Sequence, residues 1–242
     1  MQEQFSHSEK IHQTDRGLYI GDLVYGANDG IITTFAVISG AAGASLSPNL
    51  VIILGLASLV ADGISMGLSN YLAIRSRLDY QKQERKREEF EVEKFPDKER
   101  AEVLVILKRW KIPEARTEEI LDAITSDKKS WVDLMMTEEL GIIETEVDSA
   151  AKHGAVTTAA FILSGFLPLI PYLWGVSAES QFTVSLSATA LSLFLVGAMR
   201  TFITGGRWFR SGIEMFLVGS LAALSAYLVG GVVKTIFGIS VL

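Results

Sequence analysis

LVIILGLASLVADGISMGLSNYLAI, Leu50 to Ile74, runs directly into RSRLDYQKQERKREEFEVEKF, Arg75 to Phe95, and the join decides the fold. The first stretch is apolar over 25 residues, more than the roughly 20 that a helix needs to cross a ~30 Å hydrocarbon layer. The second is dense in Lys, Arg and Glu. From Tyr71 to Phe95 no Gly or Pro interrupts strong helix formers, so one helix is expected to leave the membrane and continue through water until Pro96 stops it.

Outward from this stretch, four more runs suit a membrane span: Ile20 to Ala44, Ala155 to Trp174, Phe182 to Met199 and Ile213 to Val233. The expectation is an all-α multi-pass membrane protein with five transmembrane helices and a helical insert between helices 2 and 3. Its parts are a polar tail (1–19), spans one and two (20–74), the insert (75–152) and spans three to five (153–242). The first run is long and a second follows at once, so it is expected to stay in the membrane rather than be cleaved as a signal peptide. Arg75, Arg77, Arg200, Arg207 and Arg210 flank the spans on one side, whereas Ser45 to Asn49 is uncharged and Gly175 to Ser180 holds only Glu179. The positive side faces the cytoplasm, which puts the N-terminus and the insert there and the C-terminus opposite.

Charge follows the same division. Residues 75–152 hold 16 of the 22 Lys and Arg and 20 of the 28 Asp and Glu in this chain of 242 residues. A net charge of −6 excludes a strongly basic nucleic-acid binder, and the lack of cysteine excludes disulfides, thiolate nucleophiles and Cys-type metal sites. Three histidines, two in the tail, leave little for imidazole chemistry. Within the insert, helices are expected over Asp97 to Lys111, over Pro113 to Ser126 with the proline in the first turn, and over Asp127 to Lys152 with Gly141 as a break. Thr33-Thr34…Ser39-Gly40 is echoed by Thr157-Thr158…Ser164-Gly165, a hint that spans one and three are related.

Two groups of residues carry chemistry. Asp29 and Asp62 are carboxylates inside expected spans, where a charge costs several kcal/mol unless it has a partner or water. Met66 shares a helical face with Asp62, and Asp29 and Met66 lie at similar depth, about nine and eight residues (~13 and ~12 Å) from the cytoplasmic ends. Gly26/Gly30 and Gly63/Gly67 form two Gly-x-x-x-Gly pairs that would let helices one and two, or their copies in a dimer, approach closely. Against a functional role stands the reading that each Asp caps a helix or bonds a hydroxyl and that Met66 only packs. In the insert, Glu88 and Glu91, and Glu99 and Glu102, form i, i+3 pairs either side of Pro96, so a fold-back would gather four carboxylates able to share divalent ions. Solvated surface is the competing reading. Met135 and Met136 stand four and three residues before Glu139, joining thioether and carboxylate on one face; core filling is the alternative. Glu9-x-x-His12 has no second copy to support a di-iron site, Gly63-x-Ser65-x-Gly67 falls inside a span, and neither a phosphate loop, an EF-hand nor His-Glu-x-x-His occurs. Catalysis and ATP-driven transport have no support, and an enzyme is not expected.

Four stretches in order, Asp22 to Phe35, Ala61 to Tyr71, the Glu-rich Glu84 to Glu102 and Trp131 to Leu140, resemble the vacuolar iron transporter family. The resemblance implies a homodimer of five-helix subunits that moves Fe(II), and often Mn(II), out of the cytoplasm in exchange for protons. No prosthetic group is implied, since the metal is the transported ion. The family's path falls on Asp29 and Met66, and its cytoplasmic metal-binding domain on Glu88, Glu91, Glu99, Glu102, Met135 and Glu139; Asp62, by its own place in a span, is a candidate further path residue. Many members carry Gly-Glu-Tyr where this chain has Ser69-Asn70-Tyr71, so a carboxylate is replaced by an amide. The membrane would be the plasma membrane in a prokaryote and a vacuolar-type membrane in a eukaryote. Two rivals remain: a membrane-anchored metal sensor or buffer, and a channel or carrier for an organic solute.

Overall fold

The computed structural model describes residues 19–143, 149–201 and 205–238; all of the polar tail but Tyr19, including Glu9 and His12, lies outside them. The described residues form α1 (Ile20–Gly43), α2 (Pro48–Lys94), α3 (Pro96–Arg109), α4 (Glu114–Thr125), α5 (Lys128–Glu138), α6 (Ala150–Gly165), a 3₁₀ turn (Leu167–Leu169), α7 (Ile170–Leu173), α8 (Ala178–Met199) and α9 (Trp208–Phe237), and include no strand. They divide into two compact units, 1–71 with 149–242, and 72–148.

Among the described residues four helical stretches are long and apolar enough to cross a membrane: α2, α6 through α7, α8 and α9. Five were expected. At 24 residues, or about 36 Å, α1 is long enough, but Asp22, Asn28 and Asp29 interrupt its apolar run, and it is not among the four. It lies at the centre of the first unit, packed against α6, α8 and α9. That position accounts for its composition, because neighbouring helices rather than lipid surround its polar groups. Glycine sets the spacing: a Cβ on Gly30 would lie 2.3 Å from the Phe161 carbonyl oxygen, and one on Gly230 2.1 Å from that of Gly40.

The glycine pairs also correct an expectation. Gly26 and Gly30 face Thr157, Ala160 and Phe161 of α6, while Gly63 and Gly67 face Gly154, Thr158, Phe161 and Ile162 of the same helix. Both pairs therefore admit α6, whose small and hydroxyl-bearing residues fit between α1 and α2, and they do not bring those two together. The third span is also not one straight helix. Pro168 and Pro171 supply no N–H donor, so α6 ends at Gly165 and the chain continues through the 3₁₀ turn and α7.

The second unit holds the end of α2 with α3, α4 and α5. Its core is Val92, Val103, Ile106, Leu107, Leu121, Trp131, Val132, Met135 and Met136. Pro96 opens α3, whereas Pro113 is the residue before α4 rather than part of its first turn. Asp127 caps α5 by accepting from the Ser130 amide, 2.9 Å away. The helix expected over Asp127 to Lys152 stops at Glu138: Gly141 takes φ +66°, residues 144–148 lie outside the described set, and Ser149 caps a new helix, α6.

Candidate metal centre

Three helical faces converge on one cluster in the second unit. Glu88 stands one turn before Val92, Glu99 one turn before Val103, and Glu139 one turn after Met135, so each carboxylate shares a face with a core residue. Burying Val92 and Val103 carries Glu88 and Glu99 inward, to 4% and 1% exposure. Glu88, Glu99 and Glu139 each present an oxygen within 4.8 Å of the other two, and among the described residues no other three acids or histidines meet this closely. Glu91 and Glu102 complete the group. Lys98 on α3 places its Nζ 3.3 Å from Glu99, 3.2 Å from Glu102 and 3.6 Å from Glu91.

The electrostatics follow from burial and like charge. Burial, then repulsion from Glu139, Glu99, Glu91 and Glu102, pushes the Glu88 carboxyl up to about 7. Glu99 is raised by burial and Glu102 although Lys98 opposes the shift, and Glu139 is raised by burial, Glu102 and Glu99. Glu88 Oε2 is buried with no hydrogen-bond partner among the described residues. An orphan acceptor beside two further carboxylates suits a hard or borderline divalent ion, which binds oxygen and replaces the protons that keep such groups neutral. Met135 and Met136, 0% and 1% exposed, lie in the apolar core of the unit.

In the first unit Asp29 accepts a hydrogen bond from Thr33 and lies within electrostatic reach of Asp62. Asp62 accepts from Ser58 Oγ at 2.5 Å. Each carboxylate thus has a hydroxyl one turn away, the arrangement that the competing reading anticipated, yet neither is paired with a cation by these bonds. Met66 is partly buried and packs on the cluster of Phe35, Ile38, Leu59 and Phe161.

A model of the VIT family matches residues 20–231. The chain belongs to the VIT family. This VIT-family chain is 33% identical to "Vacuolar iron transporter 1" of Arabidopsis thaliana over 228 residues, 94% of this chain and 90% of the relative. It is 34% identical to "Vacuolar iron transporter" of Plasmodium berghei (strain Anka), over 95% of this chain and 86% of the relative. The corresponding protein 1 of Oryza sativa subsp. japonica is 31% identical over 95% and 90%.

The VIT-family chain also contains a polar cluster that sequence reasoning missed. His153 Nδ1 lies 2.5 Å from Asp22 Oδ2, and the Tyr19 ring lies beside the imidazole, tilted by 41° with centroids 4.7 Å apart. Asn70 Nδ2 donates to Asp22 Oδ1 at 2.7 Å and to Thr157 Oγ1 at 2.8 Å, and Thr157 donates to the His153 carbonyl at 2.9 Å. Asn70, where relatives were expected to carry Glu, here serves as a donor binding α1, α2 and α6. The usable signal was slight: His153 precedes the echoed Thr157 by one turn, but its partner Asp22 is 131 residues away in sequence.

Proposed function

We propose that the protein is a divalent-metal transporter that exports Fe(II), and Mn(II), from the cytoplasm in exchange for protons. The observation that carries the reading is the gathering of Glu88, Glu99 and Glu139 from three chain segments, with a buried and partnerless oxygen on Glu88. In this reading α1 is the fifth span beside the four apolar ones, the second unit is cytoplasmic, and two copies form a homodimer in the membrane of the cell or of a vacuole-like compartment. The relatives are named as iron transporters, which supports iron as cargo.

The glutamates capture the ion, with Glu91 and Glu102 completing its oxygen shell and Met135 available as a soft ligand. The ion then passes to Asp29 and Met66, with Asp62 alongside. A thioether beside a carboxylate favours Fe(II) over Mg(II) and Ca(II). Because a carboxylate binds metal only when deprotonated, proton and metal compete for one site, and protonation on the far side releases the ion. Fe(II) and Mn(II) uptake into proteoliposomes tests this: flux should depend on an imposed pH gradient, and flux indifferent to the gradient overturns proton exchange. The second unit has its own core, which also fits a membrane-anchored sensor or buffer. Wild-type protein that binds metal and moves none would establish that alternative.

A further inference from the structure

Lys98 sits where a metal-capturing cluster would least be expected to keep a cation. It occupies the first turn of α3, where the helix dipole favours acids, and its neighbours Asp97 and Glu99 follow that preference. Its side chain is 61% exposed, so apolar packing does not hold it. What it gains is contact with Glu91, Glu99 and Glu102, all within 3.6 Å of its Nζ. The same oxygens belong to the group that would bind a divalent ion, and two like charges do not share one set of carboxylates at contact distance.

We propose that Lys98 is a tethered competitor for the transported cation: its ammonium must be displaced from Glu91, Glu99 and Glu102 before a divalent ion binds, which sets the capture threshold and rejects singly charged ions. The inference rests on the reading of this cluster as the capture site. The Lys98 side chain reaches these carboxylates from the solvent side of the cluster, so it leaves by swinging out. A group on a short flexible tether acts at an effective concentration in the millimolar range. K⁺ or Na⁺ exchanging for it replaces one single charge by another and gains little. A divalent ion brings twice the charge and coordinates several oxygens at once. High exposure makes the outward swing inexpensive, since little buried surface is lost.

The test is Mn(II) binding to the full chain in detergent, read from the electron-paramagnetic-resonance signal of free Mn(II), with Glu99→Gln identifying which sites belong to the cluster. Lys98→Met should tighten the Glu99-dependent site about tenfold and make it newly sensitive to KCl, whereas Lys98→Arg should stay within about twofold of wild type. Unchanged or weaker Mn(II) binding in Lys98→Met overturns the proposal and leaves the capture site standing. No Glu99-dependent Mn(II) binding in the wild type overturns the capture reading and the proposal with it. A second measurement needs no cluster variant. In wild type, saturating Mn(II) should raise labelling of Lys98 by an amine-reactive reagent relative to Lys108; equal labelling while Mn(II) occupies the site means that the ammonium was not displaced.

Discussion

The two units solve the packing problem in opposite ways. In the first, helices meet backbone to backbone: a Cβ on Gly43 would stand 2.2 Å from the Tyr227 carbonyl oxygen, and Leu163, Leu221 and Leu228 point outward. In the second, Val, Ile, Leu, Trp and Met fill a core and most charged residues outside the glutamate cluster lie at the surface, joined by pairs such as Arg100 with Asp122 and Arg109 with Glu138. Lipid gives helices no hydrophobic reason to associate, so close approach must supply the contact, whereas water drives apolar side chains together. The difference extends to the acids. Asp29 and Asp62 each rely on a local hydroxyl, while the second unit concentrates five glutamates against its core and raises the proton affinity of three. Under the proposed function, the first region would serve passage and the second holding.

Separating these roles gives the largest expected effect. Asp29→Ala should abolish metal flux in proteoliposomes while leaving Glu99-dependent Mn(II) binding at its wild-type value. Wild-type flux in this variant would remove Asp29 from the path, and loss of both properties would show that the roles are not separable.

Next comes the packing contrast. Gly30→Val puts a branched side chain where even one carbon would sit 2.3 Å from a carbonyl, and backbone cannot yield as a side-chain tip can. Overpacking costs about 1 to 3 kcal/mol where neighbours relax, and here the cost should reach the upper end or exceed it. Size-exclusion profiles and melting in detergent should show a destabilised first unit. Val103→Ala in the second unit leaves a cavity instead and should cost about 1 to 3 kcal/mol, read from urea unfolding followed by the buried Trp131. If Gly30→Val melts like wild type, the account of α1 and α6 is wrong.

Particular residues show what was legible in the sequence. The end of α2 at Lys94 was, because propensity and Pro96 act locally. So was the interruption at Gly141, the one residue there suited to a left-handed backbone. The partner of each glycine pair was not: spacing marks a small face without saying which helix fills it, and α6 filled both. Composition did mark Ile20 to Ala44 as an apolar helix, but not that α1 would pack against α6, α8 and α9 at once. Chain spacing suggested that the Glu pairs could meet across Pro96. It gave no sign of Lys98 among them, because an ion pair depends on side-chain direction, nor of His153, whose partner is remote.

The second unit should also titrate. Glu88 ionises near 7 in the folded chain against an ordinary 4.5, so the folded state binds the proton more tightly than the unfolded one. Stability of the second unit is then full below about pH 4.5, falls as pH rises towards 7 and levels off above, by an amount that reaches about 3 kcal/mol if the whole shift belongs to Glu88. Urea midpoints followed by Trp131 in the presence of a chelator should decline over this range, and Glu88→Gln, neutral and of the same shape, should flatten most of the decline. Glu99 and Glu139, raised in the same sense, supply what slope remains. Mn(II) binding should strengthen over the same window as protons leave. A midpoint that rises with pH would mean that these carboxylates are stabilised as anions, contrary to their burial.

The smallest effect tests whether the path uses sulfur. Met66→Leu keeps volume and hydrophobicity and removes one thioether, so folding should survive at a cost below about 1.5 kcal/mol. Met66 packs against the buried cluster that includes Leu59 and Phe161, which makes a packing role the competing account. The two accounts differ in which ion suffers. A thioether ligand contributes more to Fe(II) than to the harder Mn(II), so its loss should reduce Fe(II) flux by the larger factor. A packing defect has no preference between ions and should lower both fluxes equally, in step with any fall in melting temperature. Measured in the same vesicles, the ratio of Fe(II) to Mn(II) flux cancels differences in protein yield and orientation. A ratio below wild type keeps Met66 in the path, an unchanged ratio with reduced flux returns it to the helix packing around α6, and wild-type flux for both ions removes it from the route.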